Sequence, residues 1–231
     1  MTLLAASGLT KSYGGVRAVD GVDLEVASGE MVAMIGPNGA GKSTCFGLIG
    51  GQVSADAGRV QLDGADLDGS PARRARRGLG RTFQVAQVFA SMSVAENLLV
   101  ASRGHDTTLL ERVGLAADAQ RPAADLAYGD IKRLELALAL ATGPRVLLMD
   151  EPTAGMAPTE RRQLMTLIAG LARETKLAVL FTEHDMDVVF GHADRILVLD
   201  RGKLIASGDP AMIRANARVR EVYLGHGDGS C

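Results

Sequence analysis

The stretch from Met31 to Thr44, MVAMIGPNGAGKST, narrows what this chain can fold into more than any other. An apolar run, Met31-Val32-Ala33-Met34-Ile35, stops at Gly36, and Pro37, Asn38, Gly39, Ala40 and Gly41 then lead into Lys42, Ser43 and Thr44. Apolar residues return from Cys45 to Ile49, so the pattern is strand, glycine-rich loop, helix. The spacing Gly36-x-x-x-x-Gly41-Lys42-Ser43 fits a phosphate loop, and each residue type has a task there. Glycines let backbone N–H groups turn inward around an anion, Lys42 can reach the outer phosphates, and the Ser43 hydroxyl can ligate Mg²⁺. The positive end of the following helix adds to the attraction. A glycine-rich turn that binds nothing is the bland alternative, and it leaves the flanking strand and helix patterns unexplained.

The rest of the composition sets bounds around that loop. At 231 residues the chain can bury a sizeable core, and with 47% hydrophobic residues, 23% charged residues and a net charge of -2 it reads as an ordinary soluble globular protein. No global positive field calls for nucleic acid. Apolar stretches such as Leu134–Ala141 and Leu177–Phe181 fall far below the roughly 20 residues of a membrane span. The segment Met1–Lys11 lacks the basic start and cleavage pattern of a signal peptide, so the expected location is the cytoplasm. Cys45 and Cys231 offer neither a disulfide framework nor metal-ligand spacing.

Along the chain, residues 3–9 and 19–27 read as strands, the second alternating Val22, Leu24 and Val26 against Asp23 and Glu25. Between them, Lys11-Ser12-Tyr13-Gly14-Gly15 is expected to turn; Tyr13 is either a stacking platform for an adenine ring or simply the cap of a hairpin. Arg59–Leu62 reads as a short strand, and Pro71–Arg77 as a short helix with four arginines and no interleaved aromatics, hence a solvated face. Leu79–Gln84 reads as a strand ending in glutamine, and Ser93–Arg103 as a helix opened by a capping box, Ser93 with Glu96. The pattern weakens between 104 and 125. The strongest helix pattern is Leu126–Thr142, ended by Gly143-Pro144 and preceded by the turn Ala127-Tyr128-Gly129-Asp130.

Two near-continuous apolar runs then end in charged residues. Arg145–Asp150 delivers the adjacent carboxylates Asp150 and Glu151, and Leu177–Thr182 delivers Glu183, His184 and Asp185. Pro158–Glu174 between them is an amphipathic helix; Arg195–Leu199 and Lys203–Ser207 form a hairpin; one last helix is expected from about Pro210 to Tyr223, with a loose tail after Gly225. Strands alternating with helices imply a parallel sheet with ligand chemistry at the strands' C-terminal ends.

Taken singly, a carboxylate pair or a histidine is modest evidence. In their order and spacing, however, Tyr13, the loop at 36–44, Gln84, the turn at 126–130, Asp150-Glu151 and His184 resemble the ATP-binding cassette ATPases, over about Leu3 to Leu224. LGRTFQ with SVAENLLVA, the signature LAYGD, TEHDM and the closing EVYLG look like the ATPase subunits of branched-chain amino-acid importers. The resemblance implies an α/β phosphate-loop NTPase: one domain over 1–231 with a mixed-sheet core, an N-terminal antiparallel β subdomain and a small helical lobe inserted at approximately 85–142. It implies ATP and Mg²⁺ as ligands, with Asp150 organising the metal through its water shell beside Ser43, and Gln84 sensing metal and water. Glu151 would act as general base and His184 would contact the γ-phosphate.

In that family the turn Ala127–Asp130 completes the ATP site of a second subunit, so a head-to-tail homo- or heterodimer is expected, with Gly155 and Met156 in the dimer-contacting loop. Membrane permease subunits, an indirect substrate-binding protein, the cytoplasmic face of the cell (inner) membrane and no nucleic acid complete the expectation. An export ATPase for lipid or lipopolysaccharide and a soluble cassette protein acting on ribosomes or DNA are the alternatives. Two residues depart from the usual signature: Ala127 stands where serine is common, removing a hydroxyl contact worth about 1.5 to 3 kcal/mol, and Asp130 where glutamine is usual. The segment Ala101–Arg121 also looks shorter than in close relatives.

Overall fold

Period-2 alternation and continuous apolar runs sort the strands of this chain into two different sheets. The computed structural model describes residues 1–82, 88–102 and 108–224. In chain order the elements are β1 (Thr2–Tyr13), β2 (Val16–Ala27), β3 (Met31–Ile35), α1 (Lys42–Gly50), β4 (Ala57–Leu62), β5 (Ala65–Asp66), α2 (Pro71–Arg76) and β6 (Leu79–Arg81). There follow α3 (Val94–Ser102), α4 (Leu109–Arg112), two short 3-10 turns, α5 (Tyr128–Leu140), β7 (Val146–Asp150), α6 (Pro158–Thr175) and β8 (Ala178–Thr182). The chain closes with α7 (Met186–His192), β9 (Arg195–Asp200), β10 (Lys203–Gly208), α8 (Pro210–Ala215) and α9 (Ala217–Leu224).

The alternating strands build a four-stranded antiparallel sheet in the order β2-β1-β4-β5. In β2 the residues Val22, Leu24 and Val26 are buried while Asp23 and Glu25 face water, the pattern of a strand with one wet face. The continuous runs build a six-stranded sheet in the order β10-β9-β3-β8-β7-β6, parallel except for the β9–β10 hairpin. Strands β3 and β8 are buried at every residue, because both faces of this sheet are covered. One core joins the sheet face bearing Ile35, Met149 and Phe181 to α5 and α6; the other seats α1, through Phe46 and Ile49, between the two sheets. Helices α3 and α4 pack against α5.

Most expected elements are found, with shifted ends. Strand β1 continues through Tyr13, so the turn contracts to Gly14-Gly15, where Gly14 takes φ +57. The capping box forms: the Glu96 N–H donates to Ser93 Oγ (3.2 Å) and the Ser93 N–H to Glu96 Oε2 (2.7 Å). The strand expected over 79–84 is described only as Leu79–Arg81, and residues 83–87, Gln84 among them, lie outside the described residues, as does the tail after Leu224. The single C-terminal helix is corrected to two. Asn216 takes an extended conformation (φ -71, ψ 117) and its Oδ1 accepts from the Val219 N–H at 3.2 Å, which ends α8 and caps α9. Among the described residues, no helix is long and apolar enough to cross a membrane.

Candidate active site

Parallel pairing brings the C-terminal ends of β3, β8 and β7 side by side, and each end carries one part of the site. At the end of β3 the loop Gly36–Gly41 wraps ahead of α1. Its shape is imposed by close backbone approach: a Cβ on Gly36 would lie 2.4 Å from the Leu199 carbonyl oxygen, and one on Gly41, at φ +100, would lie 2.3 Å from that of Ala18. No side chain fits at either position. The Ala40 carbonyl accepts from the Gly202 N–H at 2.9 Å, so the β9–β10 turn braces the loop. Pro37 is half-buried and Ala40 buried, whereas Asn38, Gly39 and Ser43 face solvent and Thr44 is half-buried.

Lys42 donates to the loop's own carbonyls, Gly36 at 2.6 Å and Pro37 at 3.1 Å. Burial pushes its ammonium below the ordinary lysine range, with the charges of Glu151 and Asp150 pulling the other way. A buried ammonium that donates to neutral carbonyls can exchange them for anionic phosphate oxygens. Cys45, at the start of the buried helix, is chemically quiet: burial pushes its thiol up to about 12. The far end of the chain also touches this loop. Burial pushes the Tyr223 phenol of α9 up to about 12, while a backbone hydrogen bond from Gly36 acts in the opposite direction.

Asp150 and Glu151 end β7. Asp150 Oδ1 accepts from the Thr182 hydroxyl at 2.7 Å, and its Oδ2 lies 3.5 Å from Arg81 on β6. Glu151 adopts φ +50, a left-handed conformation costing a non-glycine residue about 1–2 kcal/mol. Its Oε1 lies 2.8 Å from His184 Nε2, where an imidazole N–H can donate to the carboxylate. The pair faces outward, with the His184 side chain half exposed. Glu183 points the opposite way and is 5% exposed. Its carboxylate accepts from the Thr153 N–H (2.9 Å), the Thr153 hydroxyl (2.7 Å) and the His184 N–H (3.2 Å), which offsets the cost of burying the charge. Asp185 caps α7 by accepting from the N–H groups of Asp187 and Val188, and pairs with Arg161 at 2.8 Å.

The turn Ala127–Asp130 stands at the N-terminus of α5. Ala127 is exposed and, lacking a polar side chain, gives the helix no side-chain cap. Tyr128 is 47% exposed, and its hydroxyl donates to the Ala154 carbonyl at 3.0 Å. Gly129 is buried against Glu160 and Met156, and Asp130 lies in the first helical turn, where a negative charge favours the helix. Of the two residues expected in a contact loop, Gly155 is exposed beside Tyr128, whereas Met156 is buried in the core. Tyr13 is half exposed at the end of β1, with the Lys11 ammonium 5.7 Å from its ring centroid.

The structure thus brings Asp150, Glu151 and His184 together within electrostatic reach of Lys42, and holds the turn Ala127–Asp130 against the Ala154–Met156 segment that follows the carboxylates. Sequence reasoning missed Thr182 and Arg81. One signal for Thr182 was readable: a hydroxyl at the end of an otherwise apolar, fully buried strand needs a partner.

Comparison with known proteins agrees with this geometry. Residues 19–154 match the family model described as ABC transporter, and residues 203–229 match one described as branched-chain amino acid ATP-binding cassette transporter. The chain is 41% identical over 249 residues to the high-affinity branched-chain amino acid transport ATP-binding protein BraF of Pseudomonas aeruginosa, covering 96% of this chain and 98% of that protein. It is 40% identical, with the same coverage, to LivG of Escherichia coli, which carries the same description. Among solved structures, the ADP conformation of an ATP-binding cassette of an ABC transporter superposes with a TM-score of 0.90 at 31% identity, over 98% of this chain and 100% of that one. A nucleotide-free cassette from an ABC transporter gives 0.88, also at 31% identity, over 96% and 99%. The braced phosphate loop, the strand-end carboxylates and their histidine therefore sit in a recognised framework: the chain belongs to the ATP-binding cassette transporter ATPases and is an ATP-binding, ATP-hydrolysing α/β domain.

Proposed function

We propose that this chain powers import of branched-chain or related amino acids through membrane permease subunits, hydrolysing ATP at the site built on Gly36–Thr44. The observation that carries the site assignment is the 2.8 Å pairing of Glu151 with His184, next to Asp150 and within electrostatic reach of Lys42. In this reading the loop N–H groups and Lys42 hold the β- and γ-phosphates, and the Tyr13 ring stacks on the adenine. Glu151 takes a proton from the attacking water, and His184 orients that carboxylate and contacts the γ-phosphate. Gln84, Pro37, Asn38 and Thr44 belong to the same site by their place in the motifs.

The donor set suits Mg²⁺. Asp150 offers a carboxylate whose Oδ1 is engaged by Thr182 and whose Oδ2, 3.5 Å from Arg81, would reach the metal through its water shell, and Ser43 offers a solvent-facing hydroxyl. Such a sparse set fits a hard cation that keeps waters and is held largely by substrate phosphates. When bound, Mg²⁺ would neutralise charge on the transferred phosphoryl group, with Ser43, Asp150 and Gln84 as its protein-side neighbours.

The whole chain would act as one ATPase domain, with 85–142 as a helical lobe whose Ala127–Asp130 turn serves a second subunit's nucleotide. Exposure of Ala127 and Tyr128 supports this, since a helix N-terminus facing solvent is free to meet another chain's γ-phosphate. The permease would dock in the groove of about 500 Å³ between lobe and core, where Phe89 and Val100 are each 54% exposed. That contact would hold the subunit at the cytoplasmic face of the membrane, with any substrate-binding protein engaged only indirectly.

Glu151→Gln tests the mechanism. The expected result is turnover reduced at least about a hundredfold, with a dimer that forms in Mg-ATP and is seen by sedimentation. A variant that stays monomeric in saturating Mg-ATP and hydrolyses at the parental rate would overturn it. Identification of the permeases that co-purify from native membranes checks the amino-acid assignment.

A further inference from the structure

Thr182 is 1% exposed and ends a strand whose other four residues, Ala178–Phe181, are apolar and buried. A hydroxyl there must be spent on a partner, and this one has two, both at the head of the site. Its single proton goes to Asp150 Oδ1 at 2.7 Å, and its oxygen accepts from the Glu151 N–H at 3.0 Å. The same N–H also reaches the Thr182 carbonyl oxygen at 3.2 Å. One side chain therefore grips a carboxylate and the backbone of the next residue, and that residue is the one held at φ +50.

We propose that Thr182 is a positioning residue for hydrolysis: its buried hydroxyl fixes the rotamer of Asp150 and the backbone of Glu151, so that the two adjacent carboxylates face the phosphates in different, set directions. The inference rests on the roles proposed above for Asp150 and Glu151.

Without the hydroxyl, Asp150 loses the bond that opposes Arg81, whose guanidinium lies 3.5 Å from the other carboxylate oxygen. The carboxylate is then drawn toward the arginine and away from a metal-facing direction. Glu151 would keep only the longer carbonyl contact on its N–H, which loosens the residue that pairs with His184. The neighbouring Glu183 does not compensate, because its carboxylate holds Thr153, two residues beyond the general base. A merely structural threonine, satisfying its own hydrogen bonds, would affect stability and leave the reaction alone.

Thr182→Val separates the two possibilities, since it keeps shape and removes the hydroxyl; Thr182→Ser restores the hydroxyl, and Thr182→Ala is read in parallel as a variant that cannot overpack the strand. The full chain is assayed for ATP hydrolysis, for binding of a fluorescent ATP analogue with Mg²⁺ and with EDTA, and for thermal unfolding. Val and Ala are expected to lower kcat about tenfold, to leave KM for ATP within about twofold, and to shrink about fivefold the gain in nucleotide affinity that Mg²⁺ confers. Ser is expected to stay within about twofold of the parent in all three. A parental kcat and a parental Mg²⁺ gain in Val and Ala would overturn the proposal, and so would a Ser variant as impaired as Val. Glu151→Gln, run alongside, tells the failures apart. If it hydrolyses at the parental rate the site reading falls, whereas an inactive Glu151→Gln beside fully active Val and Ala variants sinks only the role of Thr182.

Discussion

The phosphate loop and the Ala127–Asp130 turn both present a helix N-terminus to solvent, yet they are built in opposite ways. The loop is over-determined. Gly36 and Gly41 are wedged against the carbonyls of Leu199 and Ala18, Lys42 is tied to two loop carbonyls, and α1 behind them is buried between the two sheets. The turn has less of this: an exposed Ala127 with no capping side chain, and a half-exposed Tyr128 whose hydroxyl donates to Ala154 and whose ring centroid lies 5.6 Å from the Lys132 ammonium. A surface that binds its ligand within one chain can be pre-formed and packed. On the proposed reading the turn meets a ligand carried by another chain, and such a surface has to stay uncovered until the interface forms.

Substitutions in the loop therefore cost most. Gly41→Ala is expected to lower stability by more than about 2 kcal/mol and to abolish binding of a fluorescent ATP analogue, because the added methyl meets both a left-handed backbone and a carbonyl oxygen. Gly39→Ala, at φ +82 with nothing within 4 Å of its Cβ, carries only the backbone penalty of about 1 kcal/mol. Equal urea midpoints for the two variants would break the claim that close packing shapes the loop.

On the turn, Ala127→Ser sharpens the contrast. Restoring a hydroxyl at this exposed helix start should tighten the ATP-dependent dimer by about tenfold, measured by sedimentation in the Glu151→Gln background, and leave the monomer's ATP affinity unchanged. A change in monomer affinity instead would place the turn in its own chain's site. Tyr128→Phe is the smallest effect: about 0.5 to 1.5 kcal/mol of stability from the lost Ala154 contact, with monomer nucleotide binding intact. Any loss of monomer binding in that variant contradicts the division into two halves.

Legibility in the sequence followed the range of the forces involved. The loop, the capping box at Ser93 and the buried strands β3, β7 and β8 were readable because local spacing and apolar continuity specify them. The break at Asn216 was not, since the same residues carry a helix pattern on both sides and the decision rests on one side chain capping the next helix. The resemblance places Met156 in a contact loop; in the fold its side chain packs beside Gly129 and into the core, a contact that only the tertiary structure reveals. Gln84 lies outside the described residues and keeps only the position its motif gives it.

By itself the sequence determined the nucleotide chemistry, since a glycine-rich loop with its lysine and serine needs only consecutive residues to form an anion cradle. It also determined that Asp150 and Glu151 would stand at a strand end. Tertiary structure alone decided what surrounds them: β7 and β8 pair in parallel register, Asp150 beside Thr182, which brings a hydroxyl 32 residues away onto both acidic positions and sets His184 against Glu151. Such contacts depend on which strands become neighbours, and that is settled by burial of whole faces rather than by local spacing.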